Sequence, residues 1–245
     1  MEVNYRIPNV LINLIRKLIP ATAEIILFNG TKIEVLNDEI NFYLTEIYIL
    51  TLFNNIIIKP EGRTLSKLTV VKYNGYTISL EGNCNKLFYG REEFNLPLDN
   101  WDVSNIQQMD YMFSGCRNFN QPINRWDVSN VQSMEAMFGL CCNFNQPLDS
   151  WNVSNVRLMN GMFWGCYNFN RPLGNWDVSN VRAMGYMFRG CQSFNQPLDN
   201  WDVSNVQLMN NMFWGCHKFN QPITRWDVSN VRQMGGMFIG CQLFN

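Results

Sequence analysis

The sequence predicts an α+β chain in two parts: a small non-repeating N-terminal α+β cap over residues 1–85 and a solenoid of about six 25-residue coils over residues 86–245. Each coil is expected to hold a short parallel strand and a short helix or 3₁₀ turn. Two observations fix the solenoid. Trp101, Trp126, Trp151, Trp176, Trp201 and Trp226 recur every 25 residues with nothing inserted or lost, and rows from Met109 to Met234 and from Phe113 to Phe238 keep the same step. An unbroken period in the range of roughly 20 to 50 residues marks units too small to bury their own apolar faces, which must stack on one another. A third observation sets the cap apart: residues 1–85 show no such period but carry apolar runs separated by turn signals.

In the cap, VLINLIRKLI reads as an amphipathic helix, and AEIILF, TKIEVL, NNIIIK and LTVVKY read as strands, with turns at Asn29-Gly30 and Asn74-Gly75. The N-terminal stretch makes a poor signal peptide. Glu2 stands where positive charge belongs, and Asn13, Arg16 and Lys17 interrupt the apolar run. Residues 40–58 contain Glu46, Asn54 and Asn55, so no membrane span is expected there.

Within a coil, L-x-x-W-x-V from Leu148 alternates Trp151 and Val153 about Asn152, the period of a strand with one buried face. Val156, Met159 and Met162 then follow three apart, which predicts one or two helical turns entered through Ser154 or Asn155 as N-cap. Gly165-Cys166 closes the turn, Phe169 returns to the core, and Pro172 stands at strand entry, where a missing N–H is tolerated. Asn95, Asn120, Asn145, Asn170, Asn195 and Asn220 are expected to hydrogen-bond along the stack. Residues 87–101 form a degraded first unit, with Arg91 at the cysteine position.

Cys116, Cys141, Cys166, Cys191, Cys216 and Cys241 share one phase, so they form a row of side chains pointing the same way. That arrangement suits buried free thiols better than disulfides, and with no C-x-x-C pair it does not suit zinc. Reduced thiols favour a reducing compartment. The net charge of −1, with no run of Lys or Arg, gives no field to recruit nucleic acid.

The pattern L-x-x-W-x-V, V-x-x-M-x-x-M-F, G-C-x-x-F resembles the BspA-type leucine-rich repeat. F-N-Q-P-L-x-x-W-D-V-S-N-V-x-x-M-x-x-M-F is similar to the 25-residue repeat of the mycoplasma lipoprotein and surface-protein family DUF285, over roughly residues 86–245. The resemblance implies a leucine-rich-repeat-like solenoid with a role in adhesion or protein contacts, in a family of bacterial surfaces, protists and large DNA viruses. The first cysteine is Cys84, so no lipobox stands near the start and surface anchoring does not carry over. An intracellular or virion-associated location is expected over a secreted one.

Catalysis needs unlike groups converging on one point, and the repeat supplies like groups in rows. The single histidine, His217, occupies a variable phase, and Glu24, Asp38, Glu39 and Glu46 lack motif spacing. No enzyme activity, cofactor or metal is expected. The candidate surface comprises the outward strand positions Asp99, Asp102, Asp127, Asp149, Asp177, Asp199, Asp202 and Asp227, with Arg125 and Arg225, and on the helical side Trp164 and Trp214, which either anchor a partner or pack on adjacent turns. The W-D-V-S-N aspartates either cap the following turn or present charge to a cation or basic partner. The last coil, ending at Phe244-Asn245, is read as uncovered and as a contact for a protein partner or a second copy. The expected function is a non-enzymatic interaction or scaffold module; a surface adhesin or glycan-binding protein, or a component of a large assembly such as a virion, is the alternative.

Overall fold

The computed structural model describes residues 84–99 and 101–245, and before them the strands β1 (Ala23–Leu27), β2 (Lys32–Val35), β3 (Asn55–Lys59) and β4 (Thr77–Asn83). With β5 (Trp101–Gln108) these make one sheet in the order β2-β1-β3-β4-β5. β1 runs antiparallel to β2 and β3, whereas β3–β4 and β4–β5 are parallel. Three of the expected strands thus form. The expected VLINLIRKLI helix and LTVVKY strand lie outside the described residues. Ile78 pairs with Trp101, so the sheet runs on into the first coil.

From Trp101 the chain winds in 25-residue coils, numbered here from Trp101 (coil 1) to Trp226 (coil 6). Successive coils are parallel, joined by the bridges Gln108–Ser133, Ser133–Leu158, Leu158–Ala183, Ala183–Leu208 and Leu208–Gln233. After each bridge, alternate N–H groups reach forward. Met109, Tyr111, Phe113 and Gly115 donate to the carbonyls of Ser133, Glu135, Met137 and Gly139, and the next four coils repeat the pattern. Between them Met112, Ser114 and Cys116 donate back to Met109, Tyr111 and Phe113, closing three overlapping four-residue turns.

No helix occurs among the described residues, so the expected helical segment is a turn ladder. Dimensions explain the difference. Rings of one column lie 5.6–6.1 Å apart from coil to coil, as Phe188–Phe213 and Phe194–Phe219 show, while packed helices need about 8–10 Å between axes. The three-residue spacing of Val156, Met159 and Met162 serves β-turns as well as a helix. Two residues per coil take up the required reversal: φ is positive at Tyr111 (56°) and Gly115 (82°), and at the same two positions in every later coil. The type II turn needs that conformation at its third residue.

The W-D-V segment also differs from expectation. Burial alternates as predicted, with Trp126 and Val128 inside and Asp127 outside. Beyond β5, however, no named strand forms there. Asp127 Oδ1 takes the N–H of Ser129, and Val131 donates to Val128, so the chain turns immediately after the valine.

The interior is built of columns. Phe138 and Phe144 stack at 4.2 Å within one coil, Phe138 lies 5.7 Å from Phe163, and Phe144 lies 6.0 Å from Phe169. Trp176, Trp201 and Trp226 form a file, with Trp176–Trp201 and Trp201–Trp226 each at 6.5 Å and their ring planes nearly parallel. Offset-stacked rings contribute about 0.5–1.5 kcal/mol per pair beyond area burial.

Candidate functional site

The repeated polar side chains bond the next coil. Trp126, Trp151, Trp176, Trp201 and Trp226 each donate Nε1–H to a Leu or Ile carbonyl 28 positions earlier, at 2.9–3.0 Å. The thiols of Cys116 to Cys241 donate to phenylalanine carbonyls at the same offset, 2.9–3.0 Å away. All eight cysteines are free. Burial raises the thiol pKa of Cys84 and Cys116 to about 12 and raises those of Cys141, Cys166 and Cys191 well above the ordinary value. These thiols are structural donors rather than nucleophiles.

The asparagine column bonds along the stack by a route other than amide to amide. The Oδ1 of Asn95, Asn120, Asn145, Asn170 and Asn195 accepts the backbone N–H of the asparagine one coil on, at 2.9–3.0 Å. Gln121 Nε2 adds a bond to Asn95 Oδ1, as Gln146 does to Asn120.

Asp102, Asp127, Asp177, Asp202 and Asp227 each accept the N–H of the serine two residues on, at 3.0–3.1 Å. Those serine hydrogen bonds hold the carboxyls of Asp127, Asp202 and Asp227 below the usual carboxylate range. Asn152 does the same job in coil 3 with an amide oxygen, so the turn needs an acceptor and not a charge. Asp99 is half-buried, Asp199 pairs with Arg225 at 3.3 Å, and Asp149 and Arg125 are exposed. Among the described residues no group of three or more His, Cys, Asp or Glu could hold a metal ion.

One flank differs from coil to coil. It consists of the turn positions Tyr111, Ala136, Gly161, Tyr186, Asn211 and Gly236, and, three residues on, Ser114, Gly139, Trp164, Arg189, Trp214 and Ile239. Trp164 (39%), Trp214 (38%) and Tyr186 (39%) are exposed there. Arg189 lies between two rings, its guanidinium carbon 4.5 Å from Trp214 and 5.7 Å from Tyr186. At the other end of the flank Lys86 sits over Tyr111 and Tyr89. The sequence reading found Trp164 and Trp214 but not Tyr186 or Arg189. The missing signal was the three-residue offset between the two variable phases, which puts both on one turn.

The last coil presents a second surface. Val228 and Met234 are 40% and 39% exposed, where Val203 and Met209 one coil earlier are 1% and 0%. A cleft of about 380 Å³ is lined by residues 220–224 with Phe244 and Asn245. No helix among the described residues is long and apolar enough to cross a membrane.

The model of the family described as "Mycoplasma protein of unknown function, DUF285" matches residues 69–166 and 148–245. The chain belongs to this family. The two DUF285 matches together take in β4 and every coil. No curated protein and no solved structure matches this DUF285 chain.

Proposed function

We propose that this DUF285 chain is a non-enzymatic interaction scaffold, a leucine-rich-repeat-like stack that holds a protein partner against its turn flank. The observation that carries the reading is the division of labour within a coil. Side chains that repeat are spent on neighbouring coils or on their own turn: tryptophan on a leucine or isoleucine carbonyl, cysteine on a phenylalanine carbonyl, aspartate on a serine N–H. Among the side chains that vary, Ser114 and Ala136 in coils 1 and 2 are buried, but from coil 3 onward Trp164, Tyr186, Trp214 and Ile239 face solvent on one flank with half-buried Arg189 among them, and tryptophan, tyrosine and arginine are the residue types most enriched in binding hot spots. A fixed interior with a variable face suits recognition better than catalysis, since like groups in rows give no nucleophile, base and orienter at one point.

Photo-crosslinking tests this. A benzoylphenylalanine at position 164 or 239 is expected to capture protein in an extract of the native host, and one at position 127, on the W-D corner, is expected to capture little. Equal or absent capture at all three positions would sink the reading.

A further inference from the structure

We infer that the turn flank of coils 3 to 5 is a docking site for a carboxylate-bearing segment of a partner protein, read by Arg189 between Tyr186 and Trp214. This rests on the scaffold reading above and names its contact. Cation–π attraction to the two rings, whose centroids lie 4.5 Å and 5.7 Å from the guanidinium carbon, holds the Arg189 head group at this place on the flank. The guanidinium fork matches both oxygens of a carboxylate.

Among the described residues Arg189 makes no ion pair, whereas Arg225 pairs with Asp199 at 3.3 Å and Arg117 with Glu92 at 3.4 Å. The surrounding flank cannot supply one either. Residues 155–173, 178–198 and 203–223 contain no Asp or Glu, yet they carry Arg157, Arg171, Arg182, Arg189 and Lys218. The matching cluster at the other end of the flank contrasts with this. There Tyr111, which lies under Lys86, has Glu135 and Asp110 near enough to raise its phenol pKa beyond what burial does. Any acid that pairs with Arg189 therefore comes from outside the flank of coils 3 to 5.

Tyr186 adds an independent argument. Its φ is 60°, at a position where coils 3 and 6 hold Gly161 and Gly236 with φ of 60° and 71°. A side chain costs stability in that conformation, and a ring 39% exposed recovers little of it in the core. The ring contributes to the outer surface instead, beside Arg189.

The test uses the full chain and a random twelve-residue peptide display library, with the Arg189→Gln/Trp214→Ser double variant as counter-selection. Enriched peptides are expected to carry Asp or Glu next to apolar residues. Changing that acid to its amide, or Arg189 to Gln, is expected to weaken binding at least tenfold. Arg189→Lys, which keeps the charge but not the fork, is expected to weaken it several-fold. Tyr186→Gly is expected to weaken binding while raising the melting temperature, a combination a purely structural tyrosine would not give. No enrichment over the counter-selection, enriched peptides lacking an acid, or equal binding to Arg189→Gln overturns the site. If crosslinks at position 164 or 239 still capture protein, the scaffold reading survives that failure; if they do not, both fall.

Discussion

The indole Nε1 of Trp151 donates to the carbonyl of Ile123, 28 positions earlier, at 3.0 Å, and the same oxygen also accepts the backbone N–H of Trp126. One carbonyl thus closes a turn in its own coil and holds the next coil in register. Trp151→Phe keeps most of the apolar area but removes the inter-coil bond. A net hydrogen bond is worth about 0.5–1.5 kcal/mol, and lost ring area adds to it, so a destabilisation of about 2–3 kcal/mol is expected in urea titration. Trp101 is the control, because its buried Nε1 has no acceptor among the described residues. Trp101→Phe removes an unsatisfied donor and is expected to cost less than half as much.

Leu140 gives a prediction of opposite sign. At its position the other coils hold Gly115, Gly165, Gly190, Gly215 and Gly240, all with positive φ, and Leu140 adopts φ 61° with a side chain. Here the order is Gly139-Leu140, whereas elsewhere the glycine comes second. The left-handed conformation costs an L residue about 1–2 kcal/mol, and glycine's extra unfolded-state entropy returns about 0.5–1. Leu140→Gly is therefore expected to stabilise the chain slightly and raise its melting temperature by one or a few degrees (~0.5 kcal/mol). A lower melting temperature would show that the Leu140 side chain over Gly165 matters more than the strain.

The cysteine column predicts unfolding by alkali. A thiol in the unfolded chain ionises near 8.5, whereas Cys84 and Cys116 are pushed up to about 12 and Cys141, Cys166, Cys191 and Cys216 also move upward through burial. With the folded pKa above the unfolded one, the stabilisation is complete below about pH 8.5 and is lost as pH rises toward the folded value. Each such thiol removes about 1.4 kcal/mol per pH unit in that window. Acting together they exceed an ordinary folding stability, about 5–15 kcal/mol, within one or two units. Cooperative unfolding is expected between about pH 9.5 and 10.5 by circular dichroism, and Cys166→Ala with Cys191→Ala is expected to move the midpoint up. Below that range, iodoacetamide is expected to label half-buried Cys142 and Cys241 first and the six fully buried thiols only after denaturation.

The stack was legible because its period was perfect and because Trp, Phe and Cys each kept one phase. What failed was local. V-x-x-M-x-x-M-F has the spacing of a helix, and only the distance between coils rules a helix out, a quantity that no single unit carries. L-x-x-W-x-V alternates like a strand, but Asp127 Oδ1 on Ser129 N–H converts the alternation into a turn. For the W-D-V-S-N aspartate row the sequence left both a turn cap and a charged surface open; each aspartate accepts its serine N–H, and Asn152 fills the same role without charge. Arg189 stayed hidden because its meaning depends on Trp214, one coil away in space but 25 residues away in sequence.

The polarity of the ladder makes a prediction about the last coil. In every earlier coil four N–H groups point forward, as Met209, Asn211, Phe213 and Gly215 do toward Gln233, Gly235, Met237 and Ile239. The equivalent groups of Met234, Gly236, Phe238 and Gly240 make no backbone hydrogen bond. The turn row of this face is thus rich in donors, and whatever covers that row, further chain or a partner, must bring acceptors to it. Two copies meeting through this face about a two-fold axis would set N–H against N–H, leaving buried donors unpaired at about 1–3 kcal/mol each. The chain is therefore expected to sediment as a monomer, with the amides of 234–240 exchanging fast and those of 209–215 protected. Protection of 234–240 that grows with protein concentration would show that copies pair through this end despite the mismatch.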